Sequence, residues 1–117
     1  MATDFRNGSD FPRRGRDEIE GFLWLARLFD KARAARDGTL HDYNFPCPID
    51  RGVMDRWGIT ARMFSAALDN CETDTEILTW IRARVSDEHR AAANLWLLEA
   101  RRPSLDALDA EEGVVLA

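Results

Sequence analysis

The chain has 117 residues, a formal net charge of −5 and a hydrophobic content of 45%. This length suits a single domain, and the apolar content is too high for a disordered chain. The negative charge argues against a general attraction to nucleic acid or to anionic membranes. The polar first 20 residues do not fit a signal peptide, and no apolar run is long enough to span a bilayer, so the cytosol is the expected location. Two cysteines do not make a disulfide framework.

Composition divides the chain into an N-terminal arm at 1–16, a helical domain at 17–112 and a C-terminal tail at 113–117. The arm is polar and contains glycine and proline, which predicts an extended segment pinned by Phe5 or Phe11. The tail ends in an apolar Val-Val-Leu sequence. That sequence either docks on a second copy or a partner, or it is a frayed end.

The first helix is expected from about Asp17 to Arg36. Asp17 can cap it, and Glu20 lies three residues later, which is the spacing of a capping box. Gly38 would end the helix in the left-handed conformation that glycine adopts readily. Two prolines then prevent a helix, so an irregular loop is expected at about 37–49.

The later helices are each marked by a capping residue. Asp50, Thr60, Thr73 and Ser86 can each begin a helix, and Glu76 completes a capping box with Thr73. A short acidic helix is expected before the tail. No stretch alternates polar and apolar residues over a useful length, so no sheet is predicted. The predicted fold is an all-α, single-domain bundle of five to six short helices.

The first predicted helix is apolar around most of its circumference, so it is expected at the centre of the bundle. Its polar side chains share one strip formed by Glu20, Arg27, Asp30 and Lys31. Arg33 lies outside this strip, within the apolar face, and Glu99 is misplaced in the same way on the helix from Ser86. A buried charge needs a partner, so we expect Arg33 to pair with Glu99, Asp50 or Asp42. The alternative is that Arg33, one turn from the helix end, reaches solvent.

The last turn of this helix and the following loop carry the candidate ligand-binding residues. They are Asp30, Lys31, Arg33, Tyr43, Cys47, Asp50 and Arg51. Cys47 lies between two prolines, where a thiol is either a nucleophile or a small buried residue. Tyr43 either lines a pocket or anchors the loop. If Arg33 is free, the expected ligand is a small anion or an acidic segment of a protein partner.

Metal and cofactor chemistry has little support in the sequence. His41, Cys47, Cys71 and His89 could supply four zinc ligands, but no two of them have the close spacing of a zinc motif. Phosphate-binding, nucleophile-elbow and calcium-loop signatures are absent. We therefore predict no metal, no cofactor and no catalytic residue.

Three functions remain open. The first is a non-enzymatic binding or regulatory module that uses the candidate residues. The second is a small enzyme or ligand-processing protein with a cleft at Arg33, Tyr43 and Cys47. The third is a helix-turn-helix DNA-binding protein through residues 50–68, although the helix that would enter the groove exposes one base, Arg62.

Several stretches of the chain resemble one bacterial family. They are Phe11-Pro12-Arg13-Arg14-Gly15-Arg16-Asp17, Trp24-Leu25-Ala26-Arg27-Leu28-Phe29-Asp30-Lys31-Ala32-Arg33-Ala34, Gly38-Thr39-Leu40, Tyr43, Pro46-Cys47-Pro48-Ile49-Asp50, Gly58-Ile59 and Phe64. The family is known as domain of unknown function 5069, and the resemblance covers most of residues 11–100. The chain departs from the family's Trp-Asn pair, because Ala93 precedes Asn94 and the aromatic residue is Trp96. The resemblance implies a small helical protein, with no activity, cofactor or catalytic residue attached.

Overall fold

A computed structural model describes residues 5–6, 11–41 and 43–112. Within these ranges it contains six helices and no strand, which confirms the all-α fold. The helices are α1 (Leu25–Asp37), α2 (Pro48–Trp57), α3 (Ala61–Ala67), α4 (Asp74–Arg82), α5 (Asp87–Ala100) and α6 (Arg102–Glu111). The predicted partner Asp42 and the predicted tail at 113–117 lie outside the described residues.

Three of the four predicted caps of the later helices are confirmed. Thr60, Thr73 and Ser86 each accept a backbone N–H from the third residue of α3, α4 and α5. Gly38 ends α1 with a φ of 73°, the left-handed conformation expected of it.

The predicted beginning of α2 is wrong by three residues. Cys47, not Asp50, is the N-cap, and Asp50 is the third helical residue, whose carboxylate accepts the N–H of Cys47. Pro48 explains the shift, because proline is favoured at the first helical position, where no N–H is needed.

The predicted beginning of α1 is also wrong, because the helix begins at Leu25 and not at Asp17. The chain before it makes a tight turn, in which the backbones of Ile19 and Phe22 exchange two hydrogen bonds of 3.1 and 3.0 Å. Asn94 of α5 accepts the N–H of Leu23 and donates to the carbonyl of Gly21. This contact from a distant helix stabilises the turn where the local sequence favours a helix.

The described part of the N-terminal arm packs on the domain. The backbone N–H of Trp24 donates to the carbonyl of Gly15 at 2.7 Å, and a Cβ at Gly15 would lie 2.5 Å from the Trp24 ring. Phe5 is buried and its N–H donates to Thr39, whereas Phe11 is 41% exposed. Of the two predicted anchors, Phe5 is the buried one.

The core surrounds α1, as predicted. Trp24, Leu25, Leu28 and Phe29 are fully buried, together with Trp57 of α2. Beyond this apolar set, Arg27, Asp30 and Lys31 of α1 are buried as well. Three residues of the strip that was expected to be polar are thus covered by other parts of the chain, whereas Glu20 precedes α1 and is exposed.

Candidate ligand-binding cleft

A cleft of about 630 Å³ lies between α1, the loop before α2, and α6. This volume is in the range of small-molecule sites. Its walls are mainly aromatic and apolar: Phe5, Phe11, Trp24, Tyr43, Pro48, Ile49, Ala107 and Leu108. Asn44 and Ser104 add neutral polar groups, and Arg27, Lys31, Arg101, Glu111 and Glu112 add charged ones.

Asp50 is the centre of the polar floor of the cleft. Its carboxylate accepts hydrogen bonds from Trp24 Nε1 at 2.8 Å, Lys31 Nζ at 2.7 Å and the backbone N–H of Cys47 at 2.9 Å. Neither side chain of the Asp50–Lys31 pair is more than 4% exposed. Because both charges and the indole N–H find partners, the floor can be buried without an unpaired ion.

Cys47 connects this floor to the cleft. Its half-buried thiol sulfur accepts the backbone N–H of Asp50 and lies 3.4 Å from Lys31 Nζ. The sulfur therefore meets both an ammonium group and the first turn of α2.

Arg27 and Glu112 form a second buried pair, with a side-chain exposure of 2% and 5%. Two hydrogen bonds of 2.9 and 2.7 Å join them, and Glu112 also accepts the hydroxyl of Tyr43 at 3.0 Å. Burial opposes the charge of Arg27, but the hydrogen bond and charge of Glu112 outweigh it and raise the pKa of Arg27. Burial, followed by the hydrogen bond to Glu112, raises the pKa of Tyr43 well above its usual value.

Three further ion pairs hold α6 against the N-terminal segment. Asp109 accepts hydrogen bonds from Arg14 and Arg16, both at 2.9 Å, and Arg16 also binds Asp106 at 2.8 Å. The hydrogen bond from Arg14 lowers the pKa of Asp109. These contacts place α6 as the outer wall of the cleft.

The expected pair between Arg33 and Glu99 does not form. Glu99 is exposed on α5. The guanidinium of Arg33 lies 4.2 Å from the centre of the Phe29 ring, donates to the carbonyl of Glu72 and meets Asp30 at 3.5 Å. The face of the Phe29 ring stabilises the cation, so Arg33 can occupy the apolar side of the helix without an exclusive carboxylate partner. Arg33 does not line the cleft.

Asp30 belongs to a separate ionic cluster on the other side of α1. It accepts the backbone N–H of Arg13 at 2.8 Å and the Arg13 guanidinium at 3.0 and 3.1 Å, and this guanidinium also binds Asp74. Hydrogen bonding to Arg13 lowers the pKa of Asp74. This cluster ties the N-terminal segment to α1 and α4.

The structure thus brings together four of the seven predicted ligand-binding residues. Lys31, Tyr43 and Cys47 line the cleft and Asp50 lies at its floor. Asp30 and Arg33 lie in the other cluster, and Arg51 is exposed on α2.

Sequence reasoning missed Arg27, Trp24 and Glu112 as cleft residues. A signal for Arg27 and Trp24 was available, because Trp24, Arg27 and Lys31 are three and four residues apart and share one face of α1. A helix that is apolar on its other faces is central, so its polar strip also meets protein. Nothing local indicates that Glu112 reaches Arg27, because the two are 85 residues apart.

Neither a metal site nor a DNA-binding surface is supported by a cluster of side chains in the parts of the chain that the structure describes. No three His, Cys, Asp or Glu side chains gather there in a metal-binding arrangement. Helices α2 and α3 are joined by a turn at Gly58, but α3 exposes Arg62 as its single base. DNA binding through residues 50–68 stays a prediction without a basic surface to support it.

Comparison with known proteins gives a family and nothing more specific. No curated protein matches the chain. None of the helices within the described ranges has the length and apolarity needed to cross a membrane. The family described as Domain of unknown function (DUF5069) matches residues 9–114, nearly the whole chain. The chain therefore belongs to the DUF5069 family.

Proposed function

We propose that this protein is a non-enzymatic binding or regulatory module whose cleft between α1, the loop before α2, and α6 takes a small molecule. The observation that carries the proposal is the combination of an aromatic, apolar wall with two buried ion pairs, Lys31–Asp50 and Arg27–Glu112. A floor of such pairs costs stability, because replacing a buried ion pair by hydrophobic residues of similar volume often leaves the stability of a protein unchanged or increases it. A largely apolar pocket with a few fixed polar groups is also the usual form of a small-molecule site.

The floor is held rigidly, which favours binding. Asp50 holds Trp24, Lys31 and Cys47 in one arrangement, and Glu112 holds Arg27 and Tyr43 in another. A ligand that meets side chains already fixed in place loses less conformational entropy on binding than one that must order them.

A matched pair of substitutions on α6 tests the proposal. Ala107 and Ala110 are both exposed on this helix, but only Ala107 lines the cleft. Ala107→Trp is expected to fill the cleft, and Ala110→Trp adds the same side chain outside it. The probe is a set of small organic fragments, both charged and uncharged, observed by saturation-transfer NMR. Circular dichroism of both variants checks that the helices are intact.

The expected result is a group of fragments that bind the wild type and Ala110→Trp but not Ala107→Trp. The proposal fails if no fragment binds the wild type, or if Ala107→Trp keeps every fragment that the wild type binds.

The contact between Lys31 and Cys47 supports a second candidate, a small thiol-dependent enzyme. In this case the Cys47 sulfur would attack the carbonyl carbon of an ester, the alcohol would leave, and water would release the acid from the thioester. The probe is p-nitrophenyl acetate. Hydrolysis that is lost in Cys47→Ser and kept in Cys71→Ser would support the enzyme, and equal rates in both variants would exclude it.

A further inference from the structure

We infer that the cleft takes a small, uncharged, planar aromatic molecule. This inference rests on the proposed binding function and names the ligand class of the same site. It departs from the anionic ligand that a free Arg33 would favour, because Arg33 lies outside the cleft and is held by Phe29, Glu72 and Asp30.

The aromatic part of the inference rests on the walls. Tyr43 and Phe11 line the cavity and are partly exposed, whereas the rings of Phe5 and Trp24 at its wall are almost fully buried. Phe5 packs edge-on against Tyr43 with ring centres 5.4 Å apart. Aromatic rings pair well with a further ring, either stacked or edge to face. Phe11 is partly exposed, so a flat ligand that covers it would also bury apolar surface that now meets water.

The uncharged part rests on how the charges in the cleft are balanced. Lys31 is paired with Asp50, and Arg27 is paired with Glu112, at distances of 2.7 Å in both cases. The other two charged residues on the cleft, Arg101 and Glu111, carry opposite charges. An ion in the cleft would meet positive and negative groups together, so attraction by one would be offset by repulsion from the other. The ion would still lose its hydration on entering. A charged ligand would therefore lose more free energy through desolvation than it would gain from the charges of the cleft.

Neutral polar groups remain available for recognition. The side chains of Asn44 and Ser104 line the cleft, and neither forms a hydrogen bond with another described residue. Lys31 has three N–H donors, of which two meet Asp50 and Cys47. These groups suit a ligand that carries an amide, a carbonyl or a ring nitrogen.

Three indole derivatives of similar size test the inference. Indole-3-acetamide is neutral, indole-3-acetate is its carboxylate counterpart, and tryptamine carries an ammonium group. Isothermal titration calorimetry with the wild type, Ala107→Trp and Ala110→Trp gives the affinities and their dependence on the cleft. We expect indole-3-acetamide to bind at least about tenfold more tightly than either charged analogue, since these must lose the hydration of an ion. We expect Ala107→Trp, but not Ala110→Trp, to abolish its binding.

Each contrary result has a separate meaning. If a charged analogue binds the cleft as tightly as indole-3-acetamide, the ligand class is wrong and the binding function stands. If none of the three binds more tightly than about 5 mM, the aromatic class is wrong, and the fragment screen decides the binding function by its own result. If indole-3-acetamide binds Ala107→Trp as well as it binds the wild type, the cleft is not its site and the ligand class is wrong, while the fragment screen decides the binding function by its own result.

Discussion

Replacing Lys31 by methionine is expected to destabilise the protein strongly. Lys31→Met keeps most of the side-chain volume but leaves the Asp50 carboxylate without its counter-ion at a position that is fully buried. Asp50 would retain only the hydrogen bonds from Trp24 and from the backbone of Cys47. Removing one partner of a buried ion pair costs about 3–5 kcal/mol, because the remaining charge stays desolvated.

This loss converts to a large shift in the melting temperature. An unfolding entropy of about 2.1 cal/mol/K per residue gives about 0.25 kcal/mol/K for 117 residues. A loss of about 3–5 kcal/mol therefore lowers the melting temperature by about 12–20 °C. Urea denaturation followed by far-UV circular dichroism measures the free energy, and a thermal scan checks the conversion.

A second substitution separates the charge effect from lost packing. Lys31→Met with Asp50→Asn removes both charges and keeps an acceptor oxygen beside Trp24, so it should be more stable than Lys31→Met alone by about 2 kcal/mol. Arg51→Met, on the exposed side of α2, is the control and should change stability by less than about 0.5 kcal/mol. The reasoning is refuted if the stability of Lys31→Met lies within about 1 kcal/mol of that of the wild type. It is also refuted if the loss of stability in the double variant equals the sum of the losses in Lys31→Met and in Asp50→Asn.

Three further predictions concern the surroundings of the floor. Tyr43 is the single tyrosine, so an absorbance titration should show it ionising well above its usual pKa of about 10. Because the folded state holds this proton more tightly, the free energy of unfolding should fall as the pH rises above that value. Ionisation near pH 10 in the folded protein would contradict this prediction. Gly15→Ala should cost about 1–3 kcal/mol in urea denaturation, since its Cβ would meet the Trp24 ring at 2.5 Å, and an unchanged stability would mean that the ring moves freely. Cys47 should react with a disulfide reagent in the folded protein, whereas Cys71, which is buried and has a raised pKa, should react only after unfolding; equal rates would contradict this.

Features that depend on a few neighbouring residues were predictable from the sequence. Thr60, Thr73 and Ser86 cap their helices because a side-chain oxygen reaches an N–H only three residues away. Gly38 ends α1 because its backbone adopts a left-handed conformation at little cost. In each case the physical cause lies within one helical turn of the residue.

Features set by distant contacts were not predictable in the same way. The turn before α1 forms because Asn94 bonds to Gly21 and Leu23, more than 70 residues earlier in the chain. Asp17 and Glu20 have the spacing of a capping box, but this local preference is weaker than the tertiary contact.

The candidate site was predicted in part, and the unusual position of Arg33 on its helix did not indicate the cleft. Arg33 attracted interest because it breaks the polar pattern of α1, yet it stacks on Phe29, pairs with Asp30 of its own helix and lies outside the cleft. Arg27 attracted none because it fits the pattern, yet it is 2% exposed and lines the cleft. Periodicity shows which side chains share a face, but only the packing of other elements decides which face meets water.

The way in which α6 is attached has a consequence for motion. Leu105 and Asp109 are its only buried residues, and its ion pairs join parts of the chain that are 85 to 95 residues apart. Such contacts require the largest loops to close and bring little apolar burial in return. We therefore expect α6 to come away from the domain at a lower free energy than global unfolding requires, with its amide protons exchanging before those of α1. A molecule could then reach the cleft through local opening of this wall while α1 and the core stay folded.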